Sequence, residues 1–158
     1  MTATYFETVL LIERLHRHFL DVVKVELDRR SVEDINNVQA LILYNVGDDD
    51  LTVGELTLRG YYLGSNVSYN VKKMVENGYL LQERSTHDRR SVRVRLSEKG
   101  LALRDSLTEV FEKHVKALGD HNISIEALSE VNVSLRRLER FWTNMADFAM
   151  RAPRVAAA

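Results

Sequence analysis

The feature that most constrains this chain is a change in the period of its apolar residues at Asn77-Gly78. Before that point, and again from Leu101 onward, apolar residues recur every three or four positions, the spacing of one helix face. Directly after it, residues 79–84 (YLLQER) and 91–96 (SVRVRL) have strand character, and Val92, Val94 and Leu96 alternate with Ser91, Arg93 and Arg95. A period of two sends successive side chains to opposite faces of a strand. The connection Ser85-Thr86-His87-Asp88-Arg89-Arg90 is polar and lacks glycine. The chain is therefore expected to be mainly α with one small β-hairpin. A single proline and seven glycines in 158 residues leave room for long helices.

The helical segments follow from the same spacing. Tyr5, Val9, Ile12, Phe19, Val23 and Leu27 predict an amphipathic helix over 5–27. Ser31 followed by Asp34 reads as the start of a second helix, running through Ile35, Val38, Leu41, Ile42 and Tyr44 to about Asn45. Gly47-Asp48-Asp49-Asp50 breaks it, and the three acids read as solubilising or as helix punctuation. A short third helix follows Thr52, turns Leu56 inward and ends at Gly60. A fourth carries Leu63, Val67, Val71, Met74 and Val75, with Gly78 as a left-handed terminator. After the hairpin, Ser97-Glu98-Lys99-Gly100 starts a long helix through Leu103, Leu107, Val110, Phe111, Val115 and Leu118, ended by Gly119. The last begins near Ser124. There Leu128, Val131, Leu135, Leu138, Trp142 and Met145 recur at 3-4-3-4-3, the seam of a coiled coil or one face of a core. The tail 152–158 is expected to fray.

The net charge of −1 argues at first against nucleic acid, but it is a cancellation. Residues 1–58 hold five Lys/Arg against eleven Asp/Glu, residues 59–99 hold nine against four, and residues 100–158 hold eight of each. The middle block, net +5, is where the hairpin lies, and a polyanion-binding module explains it better than a solvated face. Other classes lose support. Without cysteine there is no disulfide framework, thiolate metal site or thiol switch. The first twenty residues carry Glu7, Glu13, Arg14 and Arg17, unlike a signal peptide. No apolar run approaches the roughly 18 residues of a membrane span. These points predict a soluble, intracellular single domain with no membrane partner. No glycine-rich phosphate loop, nucleophile elbow or HExxH is present, so no enzyme is expected. His16 and His18 diverge on a helix, His18 and Asp21 could share an ion only with a third ligand from elsewhere, and neither a metal site nor a cofactor is expected.

A short helix, a second helix and a basic hairpin in this order form a winged helix-turn-helix. On the second helix Ser65, Asn66, Ser68, Tyr69, Lys72 and Lys73 lie away from the apolar stripe. A major groove admits one helix, asparagine can pair bidentately with adenine, and lysines can neutralise phosphates. The hairpin carries Arg84, Arg89, Arg90, Arg93 and Arg95 against Asp88 alone within 84–95. Guanidiniums on a thin projection suit a narrow, negative minor groove. Arg93 and Arg95 alternate along a strand and can instead cover its outer face, so Arg89 and Arg90 are the first candidates for groove contact.

These residues carry a family resemblance. Asn77-Gly78-Tyr79-Leu80, then Glu83-Arg84, then DRRSVRVRLSEKG at 88–100 resemble the MarR family, the multiple-antibiotic-resistance-type regulators. The helix order extends the likeness over the whole chain. The wording LRGYYLGSNVSYNVKKMVENGYL is similar to one branch, the L,D-transpeptidase regulators, which act on cell-wall genes. The resemblance implies that Asp88 holds the wing tip while Arg90 enters the minor groove, and that Arg84 and His87 contact the backbone. It places Ser65, Asn66, Ser68 and Tyr69 in the major groove. It implies a single domain over 1–158, with a DNA-binding lobe at 31–100 and a helical dimerisation region at 1–30 and 101–151. The homodimer would meet double-stranded DNA at a pseudo-palindrome, as a cytoplasmic bacterial regulator, a repressor, associated with the nucleoid when bound. Family members often take a small aromatic or phenolic effector, for which Phe19, Val23, Leu43, Phe111 and His114 are the candidate lining. Two departures stand out. Gly60-Tyr61-Tyr62-Leu63-Gly64 replaces a polar turn, and Asn70 takes a place that is often apolar. The alternative from another class is a helical protein-interaction scaffold whose basic hairpin binds an acidic partner.

Overall fold

The computed structural model describes residues 2–60, 64–84 and 92–151, with the backbone alone for residues 64, 65 and 149–151. Helix α1 (Thr2–Arg29) ends where Ser31 turns left-handed at φ 55°. Val32 N donates to Leu27 O and Ser31 N to Asp28 O, each at 3.0 Å, the paired closure of a Schellman end. Ser31 therefore closes α1 and does not open the next helix, contrary to the sequence expectation. Helix α2 (Asn37–Val46) starts six residues later. There Asn36 Oδ1 accepts from Gln39 N at 2.8 Å, and Gln39 Oε1 accepts from Asn36 N at 3.1 Å. That reciprocal box satisfies two orphan donors, which a residue at positive φ outside the helix cannot do.

Strand β1 (Leu51–Thr52) and helix α3 (Val53–Gly60) follow. Thr52 and Glu55 form a second box at 3.1 and 2.7 Å. The backbone hydrogen bond from Thr52 is the main reason the Glu55 carboxyl lies below its ordinary range. Helix α4 (Gly64–Glu76) ends at Gly78, φ 78°, as its sequence requires, with Tyr79 N donating to Met74 O at 2.8 Å. Strands β2 (Leu80–Arg84) and β3 (Val92–Leu96) pair antiparallel from Leu80↔Leu96 to Arg84↔Val92. Sequence reasoning expected a two-stranded hairpin. The sheet has three strands in the order β1-β3-β2, because Leu51 pairs with Val94 and Thr52 with Arg93. Two residues are too short to show a period of two.

Helix α5 (Glu98–Ala117) is capped by Ser97, whose Oγ accepts from Gly100 N at 3.0 Å and donates to Gly78 O at 2.6 Å. Gly100 is obligatory here: a Cβ would sit 2.2 Å from the Tyr79 carbonyl oxygen. A short 3-10 turn (Leu118–His121) continues past the expected stop at Gly119 and closes at Asn122, φ 57°. Helix α6 (Ile125–Arg151) is capped by Ser124, whose Oγ accepts from Ala127 N.

The chain divides into two compact units after Phe111. The first buries Val23, Ile42, Leu43, Leu56, Val67, Met74, Leu80, Val94 and Leu107 almost completely. Burying each such aliphatic side chain contributes about 1.5–3 kcal/mol. The second unit is dominated by α6, where Leu128, Leu138 and Trp142 are half-buried while Val131 is 50% exposed, Met145 53% and Phe148 74%.

A candidate nucleic-acid interface

Helix α4 has two chemically distinct sides. Val67, Val71 and Met74 are buried against the first unit's core. Asn66, Ser68, Tyr69 and Lys72 are exposed, and Lys73 is half-buried. The structure thus brings five of the six residues expected on that face into one outward row; the Ser65 side chain lies outside the description. The lysines are partly neutralised. Lys73 Nζ donates to Glu76 Oε2 at 2.9 Å, and Lys72 Nζ lies 3.9 Å from Glu76 Oε1. That hydrogen bond holds Lys73 above its usual pKa and Glu76 below its own. Asn70 lies at the edge of the row and turns inward. Its Oδ1 accepts from Gln39 Nε2 at 3.1 Å, and its Nδ2 donates to Asn66 O at 2.8 Å.

The base of the wing is held by charge pairs. Each acid of Asp48-Asp49-Asp50 takes a different arginine: Arg104 on α5, Arg59 on α3 and Arg93 on β3. Arg59 Nη1 is 2.6 Å from Asp49 and also donates to Asn45 O at 3.2 Å. Arg93 Nε is 3.0 Å from Asp50, and Arg95 reaches Glu83 across the sheet at 3.2 Å. The acidic run is therefore a clasp joining three elements, a role its local sequence did not reveal because its partners lie 10 to 56 residues away. Arg93 and Arg95 are occupied at the wing base, while Arg84 is exposed at the end of β2. His87, Asp88, Arg89 and Arg90 lie outside the described residues.

A second lock sits where α4 meets β2. The Asp34 carboxylate accepts from Tyr79 Oη at 2.6 Å and from Lys99 Nζ, which stands 4.1 Å from the Tyr79 ring centroid. Burial pushes the Asp34 carboxyl up, but the hydrogen bonds from Lys99 and Tyr79 outweigh it, so the net shift is downward. Burial, and then the bond to Asp34, raise the Tyr79 phenol. Asn77 Nδ2 donates to Asp34 O, and Lys99 Nζ reaches Asn77 O at 3.0 Å. Asp34 thus gathers the α4–β2 turn and the start of α5 around one carboxylate.

A cavity of about 570 Å³ opens beside α2. Phe19, Tyr44 and Phe111 pack around it, Phe19–Phe111 tilted with centroids 5.5 Å apart and Tyr44–Phe111 edge-on at 5.2 Å, and His16, Asn45 and Gly60 add polar and backbone surface. Of the five residues expected at an effector pocket, Phe19 and Phe111 line this cavity. Val23 and Leu43 are buried in the core at 1% and 0% exposure, and His114 belongs to the second unit. Sequence reasoning missed Tyr44 and His16 as lining, since it gave Tyr44 to a core face and weighed His16 only as a metal ligand.

Comparison with known proteins identifies this arrangement. Residues 35–100 match the winged helix DNA-binding domain family. Over 147 residues the chain is 38% identical to the exopolysaccharide II synthesis transcriptional activator ExpG of Rhizobium meliloti (strain 1021), covering 93% of this chain and 76% of that protein. The fold superposes on a MarR mutant from E. coli complexed with operator DNA (TM-score 0.71, 15% identity, 85% of this chain and 95% of that one). It also superposes on Staphylococcus aureus MarR in complex with salicylate and kanamycin (TM-score 0.71, 21% identity, 90% and 93%).

The chain belongs to the MarR family. As a MarR-family protein it is a DNA-binding transcription regulator and not an enzyme. In element order, α3 and α4 followed by the β2–β3 pair have the arrangement of a winged helix-turn-helix. No helix among the described residues is long and apolar enough to cross a membrane.

Proposed function

We propose that this MarR-family regulator binds a pseudo-palindromic operator as a homodimer and is released by a small aromatic or phenolic effector. The observation that carries the reading is α4: an exposed row of Asn66, Ser68, Tyr69 and Lys72 backed by a buried stripe, beside a wing with a clamped base. In this reading Ser65, Asn66, Ser68 and Tyr69 face bases. Lys72, Lys73, Arg84 and His87 meet phosphates, and Arg89 is a groove candidate beside Arg90. Arg90, steadied by Asp88, enters the minor groove. The dimerisation region comprises residues 1–30 and 101–151, and the open apolar face of α6 supports it. The cavity supports the effector, which acts by preferring a conformation that fits DNA poorly. The protein is cytoplasmic, and nucleoid-associated when bound.

The interface chemistry is indifferent to the sign of regulation, which depends on where the operator lies relative to the promoter. Repression is the expectation from the resemblance, whereas the relative ExpG is named an activator. For target genes, ExpG's name points to exopolysaccharide synthesis, and the resemblance of residues 58–80 to L,D-transpeptidase regulators points to the cell wall. Both are cell-surface polymers. Selecting genomic fragments with the purified protein identifies the operator and its neighbours. Duplex binding across a salt series tests the interface. We expect a steep negative slope of log K against log salt, made shallower by about one unit in Arg90→Ala. Salt-insensitive binding sinks the reading.

A further inference from the structure

The recognition helix is anchored by more than its apolar stripe. Gln39 on α2 is the one polar residue among the buried described residues, at 7% exposure. Its amide is satisfied at both ends: Oε1 accepts from Asn36 N at 3.1 Å and Nε2 donates to Asn70 Oδ1 at 3.1 Å. Asn70 passes the connection on, its Nδ2 donating at 2.8 Å to the carbonyl of Asn66, the exposed residue one turn earlier. A relay of hydrogen bonds therefore runs from the α2 N-cap to Asn70 and ends on the α4 backbone at the Asn66 carbonyl. Because the box with Asn36 holds Gln39 at both its backbone and its side chain, the relay starts from a fixed point.

We propose that Gln39 and Asn70 are positioning residues that set the rotation of α4 about its own axis and hence the aim of its base-facing row. The stripe behind α4 is Val67, Val71 and Met74. Apolar contact is non-directional, and three such side chains tolerate a small rotation at little cost. A hydrogen bond does not, since its useful range is about 2.7–3.2 Å. Side-chain tips lie about 5–6 Å from a helix axis, so a rotation of about 20° moves them about 2 Å. That displacement breaks a bidentate contact to a base edge but leaves most long lysine and arginine contacts to phosphate intact. A buried polar pair adds little net stability, because an apolar pair of similar shape is nearly neutral in its place. Its contribution here is direction. This explains why Asn70 stands where an apolar residue would pack equally well.

The inference rests on α4 being the base-reading helix, and the experiment separates the two. The parent protein is used to select a preferred duplex from a random pool, and affinity is measured for that duplex and for random duplex of equal length. In the double variant Gln39→Leu/Asn70→Leu, melting temperature falls slightly, because Asn36 N loses the acceptor of its capping box. Affinity for random duplex is unchanged, and the preferred-to-random ratio falls about tenfold, the scale of one lost bidentate contact. Asn70→Asp keeps an acceptor for Gln39; its added charge lowers both affinities together and leaves the ratio intact. A ratio within twofold of the parent's in the double variant overturns the positioning role. Equal losses on both duplexes overturn it too, because they mark general loosening. A parent that selects no sequence removes base reading itself and this inference with it.

Discussion

Helices α4 and α6 are both amphipathic, and the same spacing rule finds both, yet they spend their apolar faces differently. On α4, Val67, Val71 and Met74 are 0–3% exposed. On α6, Val131, Leu135 and Met145 are 38–53% exposed. The α4 stripe is covered by elements of its own unit, which leaves the opposite side exposed for the proposed DNA contact. The α6 stripe has the length and the 3-4 recurrence of a helix that meets another helix. Periodicity shows that a face will be covered; it does not name the cover.

The comparison can be broken at its strongest point first. Leu56, fully buried on α3, touches the same core that α4 leans on. Leu56→Ala should lower unfolding stability by about 2–5 kcal/mol, independent of protein concentration, as read by denaturant titration. A loss that shrinks at high concentration would mean that the lobe's core is completed by assembly.

On α6 the opposite signature is expected. Leu135→Asp should change the mass at micromolar concentration from dimer to monomer and make melting depend on concentration. A two-fold interface loses the burial of the leucine twice, at about 1.5–3 kcal/mol each. Sedimentation that finds the parent monomeric, or the variant still dimeric, removes the dimer from the proposed function.

On the exposed side of α4, Asn66→Ala should cost about 1–3 kcal/mol of discrimination against the wrong base. Stability should stay within about 0.5 kcal/mol of the parent, since nothing buried is touched. Equal weakening on preferred and random duplexes would place Asn66 on phosphate.

The smallest effect is a pH-dependent one at the Asp34 lock. The Asp34 carboxyl is depressed by Lys99 and Tyr79 despite burial. Its contribution is therefore present above the unfolded carboxylate value of about 3.9 and lost as pH falls through the lower folded value. Asp34→Asn should melt earlier than the parent near pH 6, and the gap should close below about pH 4. A gap that is constant with pH would assign the lock to shape and not to charge.

Sequence reading went furthest where a single residue or a local pattern carries its own geometry. Gly78 announced a left-handed stop, Ser97 and Ser124 announced helix starts, and the alternation through Val92, Val94 and Leu96 announced β3 with its buried side. It misplaced the start of α2 because Ser31 and Asn36 are both plausible caps, and only the backbone shows that Ser31 turns left-handed. It missed β1, which is two residues long and exists by pairing with β3. It took Asp48-Asp49-Asp50 for punctuation because none of their arginines is near in sequence.

The basic block at 59–99 and the family motif around it were written in the sequence alone, since charge is additive and turn chemistry is local. Which cations stay available is a tertiary matter. Arg93, Arg95 and Arg59 are occupied by acids, Lys72 and Lys73 share Glu76, and Asn70 turns inward to Gln39. Those pairings require residues brought together from separate elements, and no periodicity along one chain encodes a distance between two of its helices.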